Sequence, residues 1–186
     1  MARIGWPLWP AMWWTVGALA MLGEDEIFRA LVFGKESGLQ DGRTYIVKER
    51  KPQRALERFT RLVSEGHRGL YITRQHPDHV SRSRLESVRL IWLSTTLGAN
   101  YMDPHNLSSL TALVKDYLAA SPKVVVLLDG LEYLMINNDF ARILRFVEVL
   151  NELVSLRGAI LILSVDDRAF EEKELALLER SAELIE

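Results

Sequence analysis

The sequence of 186 residues contains no cysteine. Disulfide bonds, thiolate nucleophiles and cysteine-ligated zinc are therefore excluded. Neither sign of charge dominates, because 23 lysine and arginine residues stand against 25 aspartate and glutamate residues. The net charge of −2 gives no electrostatic reason to expect nucleic acid as a partner. With 48% apolar and 26% charged residues, the composition is that of a globular protein.

Charge is also missing from residues 4–22, a stretch that holds every tryptophan except Trp92. A run of about 19 uncharged residues is close to the length that spans a bilayer, and tryptophan is enriched at the membrane interface. Pro7 and Pro10 interrupt a helix early in the run. We therefore predict residues 1–23 as a candidate membrane or interfacial anchor.

Other interpretations of this segment stay open: a secretory signal peptide, a core element, or the remnant of a longer membrane protein. Arg3 alone precedes the run, whereas basic residues recur from Arg29 to Arg54. If the segment spans a membrane, this asymmetry places the main domain in the cytoplasm; the alternative is a soluble cytoplasmic protein. Residues 24–42 are predicted to form an amphipathic helix and a linker.

Residues 43–186 alternate between strand and helix patterns, which predicts an α/β domain with a mainly parallel sheet covered by helices on both faces. This is a three-layer αβα arrangement. Two fully apolar runs are typical of central strands that are buried on both sides. The five predicted strands are Thr44–Val47, Gly69–Thr73, Arg89–Ser94, Val124–Leu128 and Ala159–Leu163.

Four helices are predicted between and after these strands. The first opens at Lys51-Pro52, where proline is allowed, and the second is capped by Asn106. A long helix has apolar residues at helical spacing from Phe140 to Val154. The last is expected to run from Glu171 to Ile185.

Polar side chains follow the strands at the edge of the sheet where parallel α/β proteins bind their ligands. The simpler explanation is that strands end in water and therefore in polar residues. Lys48 and Glu49 follow the first strand, and Ser164 stands near the end of the last. The candidate ligand-binding residues are Arg74, His76, Ser94, Asp103, Asp129, Glu132 and Asp166.

Asp129 ends an apolar strand, as does the Walker B aspartate that positions magnesium for phosphoryl transfer. The phosphate-binding loop that should accompany it is absent, because no glycine occurs between Lys48 and Gln53. ATP hydrolysis of the ordinary kind is therefore not expected. His76 and His79 are three residues apart, but a surface turn explains them better than a metal site. We assign no catalytic residue, no metal ligand and no cofactor.

Several strings of residues resemble the archaeal family called domain of unknown function 835 (DUF835). They include Gly69–Arg74 with His76-Pro77, Ile91–Ser94, and Leu127–Leu134, which is the most specific. The resemblance covers about residues 43–183. It implies a distant, degenerate relative of RecA-type ATPases of the circadian-clock KaiC kind, RecA-like without a P-loop. Members of the family often follow transmembrane or sensory segments, which agrees with the predicted anchor.

The expected function is that of a membrane-tethered, cytoplasmic, non-catalytic signalling or protein-interaction module. Its expected partner is another protein, with a homodimer as one form, and the membrane is reached through the N-terminal segment. The alternative is a binding module for a nucleotide or phosphorylated small molecule at the carboxyl ends of the strands. An enzyme using Asp129 and Glu132 is the third hypothesis.

Overall fold

The computed structural model of the protein describes residues 38–80, 87–96 and 98–185. Leu39–Glu186 cluster as one compact unit. The predicted anchor at residues 1–23 and the predicted helix after it lie outside the described residues. Within the described ranges, no helix is both long enough and apolar enough to cross a bilayer.

Seven strands form a single sheet in the described part of the chain, and every neighbouring pair is parallel. In chain order they are β1 (Arg43–Lys48), β2 (Arg68–Thr73), β3 (Arg89–Leu93), β4 (Tyr101–Met102), β5 (Val124–Asp129), β6 (Ile160–Val165) and β7 (Glu183–Ile185). Their order across the sheet is β4-β3-β2-β5-β6-β1-β7. The α/β class with a parallel sheet is confirmed, but the predicted number of five strands is wrong.

The two strands that the sequence did not predict are β4 and β7, one at each edge of the sheet. They have two and three residues, respectively. Neither is long enough to show an alternating pattern, so pairing with a neighbour defines them.

The C-terminal helix was predicted to extend to Ile185, and this is also wrong. The helix ends at Glu179, and residues 183–185 pair with β1 as β7. Without β7, the β1 edge would have unpaired backbone N–H and C=O groups, and the last residues of the chain satisfy them.

Five helices lie between the strands of the described chain. They are α1 (Gln53–Ser64), α2 (Leu107–Ala119), α3 (Leu131–Asn137), α4 (Phe140–Arg157) and α5 (Glu172–Glu179). The predicted cap of α2 is confirmed, because the Asn106 side chain accepts a hydrogen bond from the Ser109 N–H at 3.0 Å. The predicted long helix is α4, which ends at Gly158 with a left-handed φ of 60°.

Side chains alternate between the two faces of the sheet and form two cores. On one face, Tyr71, Leu127 and Ile162 pack with Phe59 of α1. On the other, residues of α2, α4 and α5 cover the opposite side of the same strands, with Leu128 and Leu163 at the centre. Of the five helices in the described ranges, α1 is the one that packs on the first face of this three-layer arrangement.

The connections leave β2 and β5 in opposite directions. The strands are neighbours, but β2 continues to β3 on one side and β5 continues to β6 on the other. Such a change of direction opens a crevice at the carboxyl ends of the strands. Here the crevice lies between Thr73 and Asp129, which face each other in the register of β2 and β5.

Candidate functional site

Three buried polar residues lie in a row at the carboxyl edge of the sheet. Asp129 is in register with Thr73 of β2 and with Ser164 of β6. Their exposed fractions are only 5%, 0% and 3%, respectively. Buried polar groups are costly unless they are hydrogen-bonded, so this row has to be satisfied from within the protein.

Asp129 is satisfied by the loop that follows β2. Its Oδ2 accepts a hydrogen bond from Thr73 Oγ1 at 2.8 Å and one from Gln75 Nε2 at 3.4 Å. Burial raises the pKa of Asp129, although the Thr73 hydrogen bond and the nearby Arg74 charge oppose this. Burial and then the Asp129 charge raise the pKa of the Tyr71 phenol. Asp129 therefore holds the ends of β2 and β5 together from a buried position.

The raised pKa of Asp129 has a consequence for stability. The folded state holds the Asp129 proton more tightly than the unfolded chain does. The contribution of Asp129 to stability therefore falls as the pH rises from the ordinary pKa of 3.8 through the raised pKa of the folded state. Asp129→Asn removes that penalty. We expect its unfolding free energy, relative to the wild type, to increase as the pH rises above about 4 and to level off once the wild-type carboxyl is ionised in the folded state.

Urea denaturation of both proteins across this pH range measures the difference. Thr44→Val is a suitable comparison, because it removes a partly buried hydrogen bond to Asn151 without removing a titrating group. A loss of stability in Asp129→Asn that grows as the pH rises would show that the hydrogen bonds of the carboxylate outweigh its burial.

Glu132 links the end of β5 to the loop after β6. It lies in the first turn of α3, and its Oε1 accepts a hydrogen bond from the Asp166 backbone N–H. Burial raises the pKa of Glu132, and this hydrogen bond opposes the rise. Glu132 thus holds the loop after β6 in place.

Glu49 occupies the start of α1. Its Oε2 accepts a hydrogen bond from the Arg54 backbone N–H at 2.9 Å, and its Oε1 accepts one from the Ala55 N–H at 3.0 Å. Ser164 Oγ donates to the same Oε1 at 3.2 Å. The positive end of a helix dipole favours an anion at this position. A carboxylate of the chain itself fills it.

A cavity of about 800 Å³ opens at the carboxyl ends of the strands. It is bounded by the loops that follow β1, β2 and β6. Its cationic lining residues are Arg50, Lys51, Arg54, Arg74 and Arg168. The other described lining residues are Glu49, Gln53 and Asp166. Among the described residues that line it, positive charge is therefore in excess.

Two of the five cations are already engaged. Arg168 forms an ion pair with Asp166, and the guanidinium lowers the pKa of that carboxyl. Arg54 donates to the Lys48 carbonyl and lies beside Glu49. Lys48 itself pairs with Glu179.

The other three cations are Arg50, Lys51 and Arg74. Their side chains have no hydrogen bond or ion pair with any residue that the structure describes, and all three are exposed. Arg74 is placed by close packing under its stem. Gly130 has a φ of 122°, and a Cβ there would lie 3.3 Å from Arg74 Cβ. Glycine at this position allows the two loops to approach each other.

The remaining predicted site residues lie in local turns and do not line the cavity. The Ser94 hydroxyl accepts a hydrogen bond from the Thr96 N–H at 3.1 Å. Asp103 accepts one from the His105 N–H at 2.9 Å, and this bond lowers the pKa of Asp103.

His76 caps a short turn and its ring packs edge-on against Trp92, 4.7 Å between centroids. In the described ranges, no group of three His, Asp or Glu side chains could hold a metal ion.

The sequence prediction thus located Arg74 and Asp166 at the cavity and Asp129 and Glu132 beneath it. It did not select Arg50, Lys51, Arg54 or Arg168. The sequence does contain a signal for a basic site, since four of the seven residues from Lys48 to Arg54 are basic. From the sequence alone, these residues are interpreted as part of the charge bias that places the domain in the cytoplasm and as the absence of a phosphate-binding loop, and not as a binding site.

The model of the DUF835 family, described as a protein of unknown function, matches residues 48–182. The chain belongs to the DUF835 family. The family resemblance inferred from strings such as Leu127–Leu134 is confirmed. No curated protein matches the chain. Every described residue that lines the cavity lies inside the segment that the DUF835 model matches, whereas β7 lies just beyond that segment.

Proposed function

We propose that this DUF835 protein is a non-catalytic binding module for a phosphorylated small molecule or nucleotide, held at the carboxyl ends of the strands. The observation that carries the proposal is the convergence of Arg50, Lys51 and Arg74 on one cavity, where their side chains make no hydrogen bond or ion pair with the described chain. Phosphate oxygens form strong, charge-assisted hydrogen bonds with such side chains.

The arrangement favours binding over phosphoryl transfer. Glu49 already occupies the backbone N–H groups at the start of α1, so phosphate would be held by side chains alone. Asp129 is buried and bonded to Thr73, which leaves it poorly placed to hold magnesium. Both features are expected of a degenerate relative of RecA-type ATPases in which the Glu49 carboxylate occupies the phosphate-binding position.

In this proposal the bound anion is a signal rather than a substrate. The predicted N-terminal anchor would hold the domain at the cytoplasmic face of a membrane, and ligand binding would alter contacts with a protein partner. Contacts through exposed apolar residues form a second candidate function. Ile136 and Leu156 are 81% and 75% exposed, near the C-terminal ends of α3 and α4, respectively, and each offers an apolar side chain to a protein partner.

Isothermal titration of the full-length protein with ATP, GTP, cyclic dinucleotides and pyrophosphate tests the proposal. We expect at least one of these anions to bind with micromolar affinity. That affinity should weaken as the salt concentration is raised. Arg74→Ala should weaken it about tenfold, since a hydrogen bond to a charged group contributes roughly 1.5–3 kcal/mol. Absence of heat from a folded protein would contradict the proposal and leave protein contacts as the better account.

A further inference from the structure

The side chains around the cavity suggest which anion it accepts. The described lining consists of five cations, two carboxylates and one amide, with no aromatic or aliphatic side chain. Pockets for drug-like ligands are lined mainly by apolar side chains, and nucleobases are usually held by stacking on aromatic rings. The described walls of this cavity offer a base no aromatic ring, and their apolar surface comes only from the carbon atoms of polar residues.

The aromatic side chains that support the Arg74 loop are engaged with one another. Trp92 packs between His76 and Tyr101, at centroid distances of 4.7 and 4.8 Å. Its Nε1 donates to the Arg74 carbonyl at 3.1 Å, so the indole supports the loop that carries Arg74. None of these three rings is part of the cavity lining.

The charge and size of the cavity exceed what a single phosphate needs. Arg50, Lys51 and Arg74 approach it from two loops, and about 800 Å³ is available between them. Two or three linked phosphates offer each of these cations its own oxygen atoms, and so use the charge of both loops more fully than one phosphate group does.

We infer that the cavity is selective for a compact ligand with several phosphate groups and no base, such as a short polyphosphate or a multiply phosphorylated polyol. This inference rests on the proposed function, since it specifies the ligand of the same site. The phosphates bind to side-chain cations at the open mouth of the cavity. The rest of the ligand makes little contact with the protein.

Titration of the full-length protein in about 0.15 M salt tests this selectivity. The probes are orthophosphate, pyrophosphate, tripolyphosphate, inositol hexakisphosphate, ATP and adenosine. We expect tripolyphosphate to bind within about threefold of ATP, orthophosphate to bind at least about tenfold more weakly, and adenosine not to bind. The relative affinities of tripolyphosphate and inositol hexakisphosphate distinguish a linear from a cyclic source of the phosphates.

A variant confirms that the cavity is the site of binding. Arg50→Ala should weaken tripolyphosphate about tenfold, whereas Lys115→Ala, an exposed substitution on α2, should not. Binding of ATP more than about tenfold tighter than tripolyphosphate, or competition by adenosine, would overturn the inference and leave the proposed function intact. Orthophosphate as tight as tripolyphosphate would also overturn it. Failure of every anion to bind would overturn both.

Discussion

Replacement of Lys51 and Arg74 by alanine in one protein is expected to weaken pyrophosphate binding about 100-fold. Each side chain supplies a charge-assisted hydrogen bond from a different loop, so neither can take over the role of the other. Both are exposed and have no hydrogen bond or ion pair with the described residues. The unfolding free energy should therefore change by only about 0.5 kcal/mol or less.

The control for this double variant carries the same change in net charge. Lys115 is exposed on α2. Lys123 is exposed just before β5, at the amino ends of the strands and therefore opposite the cavity. Replacing both by alanine should change the affinity by less than about threefold, because charges farther than a Debye length are screened. Calorimetric titration measures the affinities, and thermal denaturation checks the folding of each variant. An equal loss in both variants would show that the overall field of the protein, rather than the cavity, attracts the anion.

The central part of the fold was predictable because burial on both faces leaves a continuous apolar run. All six residues of β6 and all six of β5 are buried, and only Asp129 and Ser164 among them are polar. The edge strands β4 and β7 were not predictable, since they exist only through hydrogen bonds to β3 and β1. Their own residues carry too short a pattern to indicate a strand.

The candidate site was predictable only in part, for a similar reason. Asp129 could be assigned to the carboxyl edge of the sheet from its place at the end of an apolar run. Its engagement by Thr73 could not, because that residue lies 56 positions earlier in the chain. The basic residues after β1 are evident in the sequence, but their availability depends on the inward turn of Glu49 to cap α1.

Glu49 therefore supports the prediction that separates structure from binding most directly. Glu49→Gln is expected to lower the unfolding free energy by about 1–2 kcal/mol, since one of its two acceptor oxygens is replaced by an N–H donor facing the start of a helix. The same change removes a negative charge from the cavity wall. Affinity for pyrophosphate should then rise about fivefold, as expected for one charge acting at the surface of a protein.

Urea denaturation and calorimetric titration measure the two effects in the same protein. Glu57→Gln is the matched control, because Glu57 is exposed on α1 and does not line the cavity. It should leave both quantities nearly unchanged. Weaker binding by Glu49→Gln would mean that the carboxylate orients Arg54 toward the anion. Tighter binding with lower stability would mean that the Glu49 carboxylate stabilises the start of α1 and at the same time lowers the affinity of the cavity for the anion.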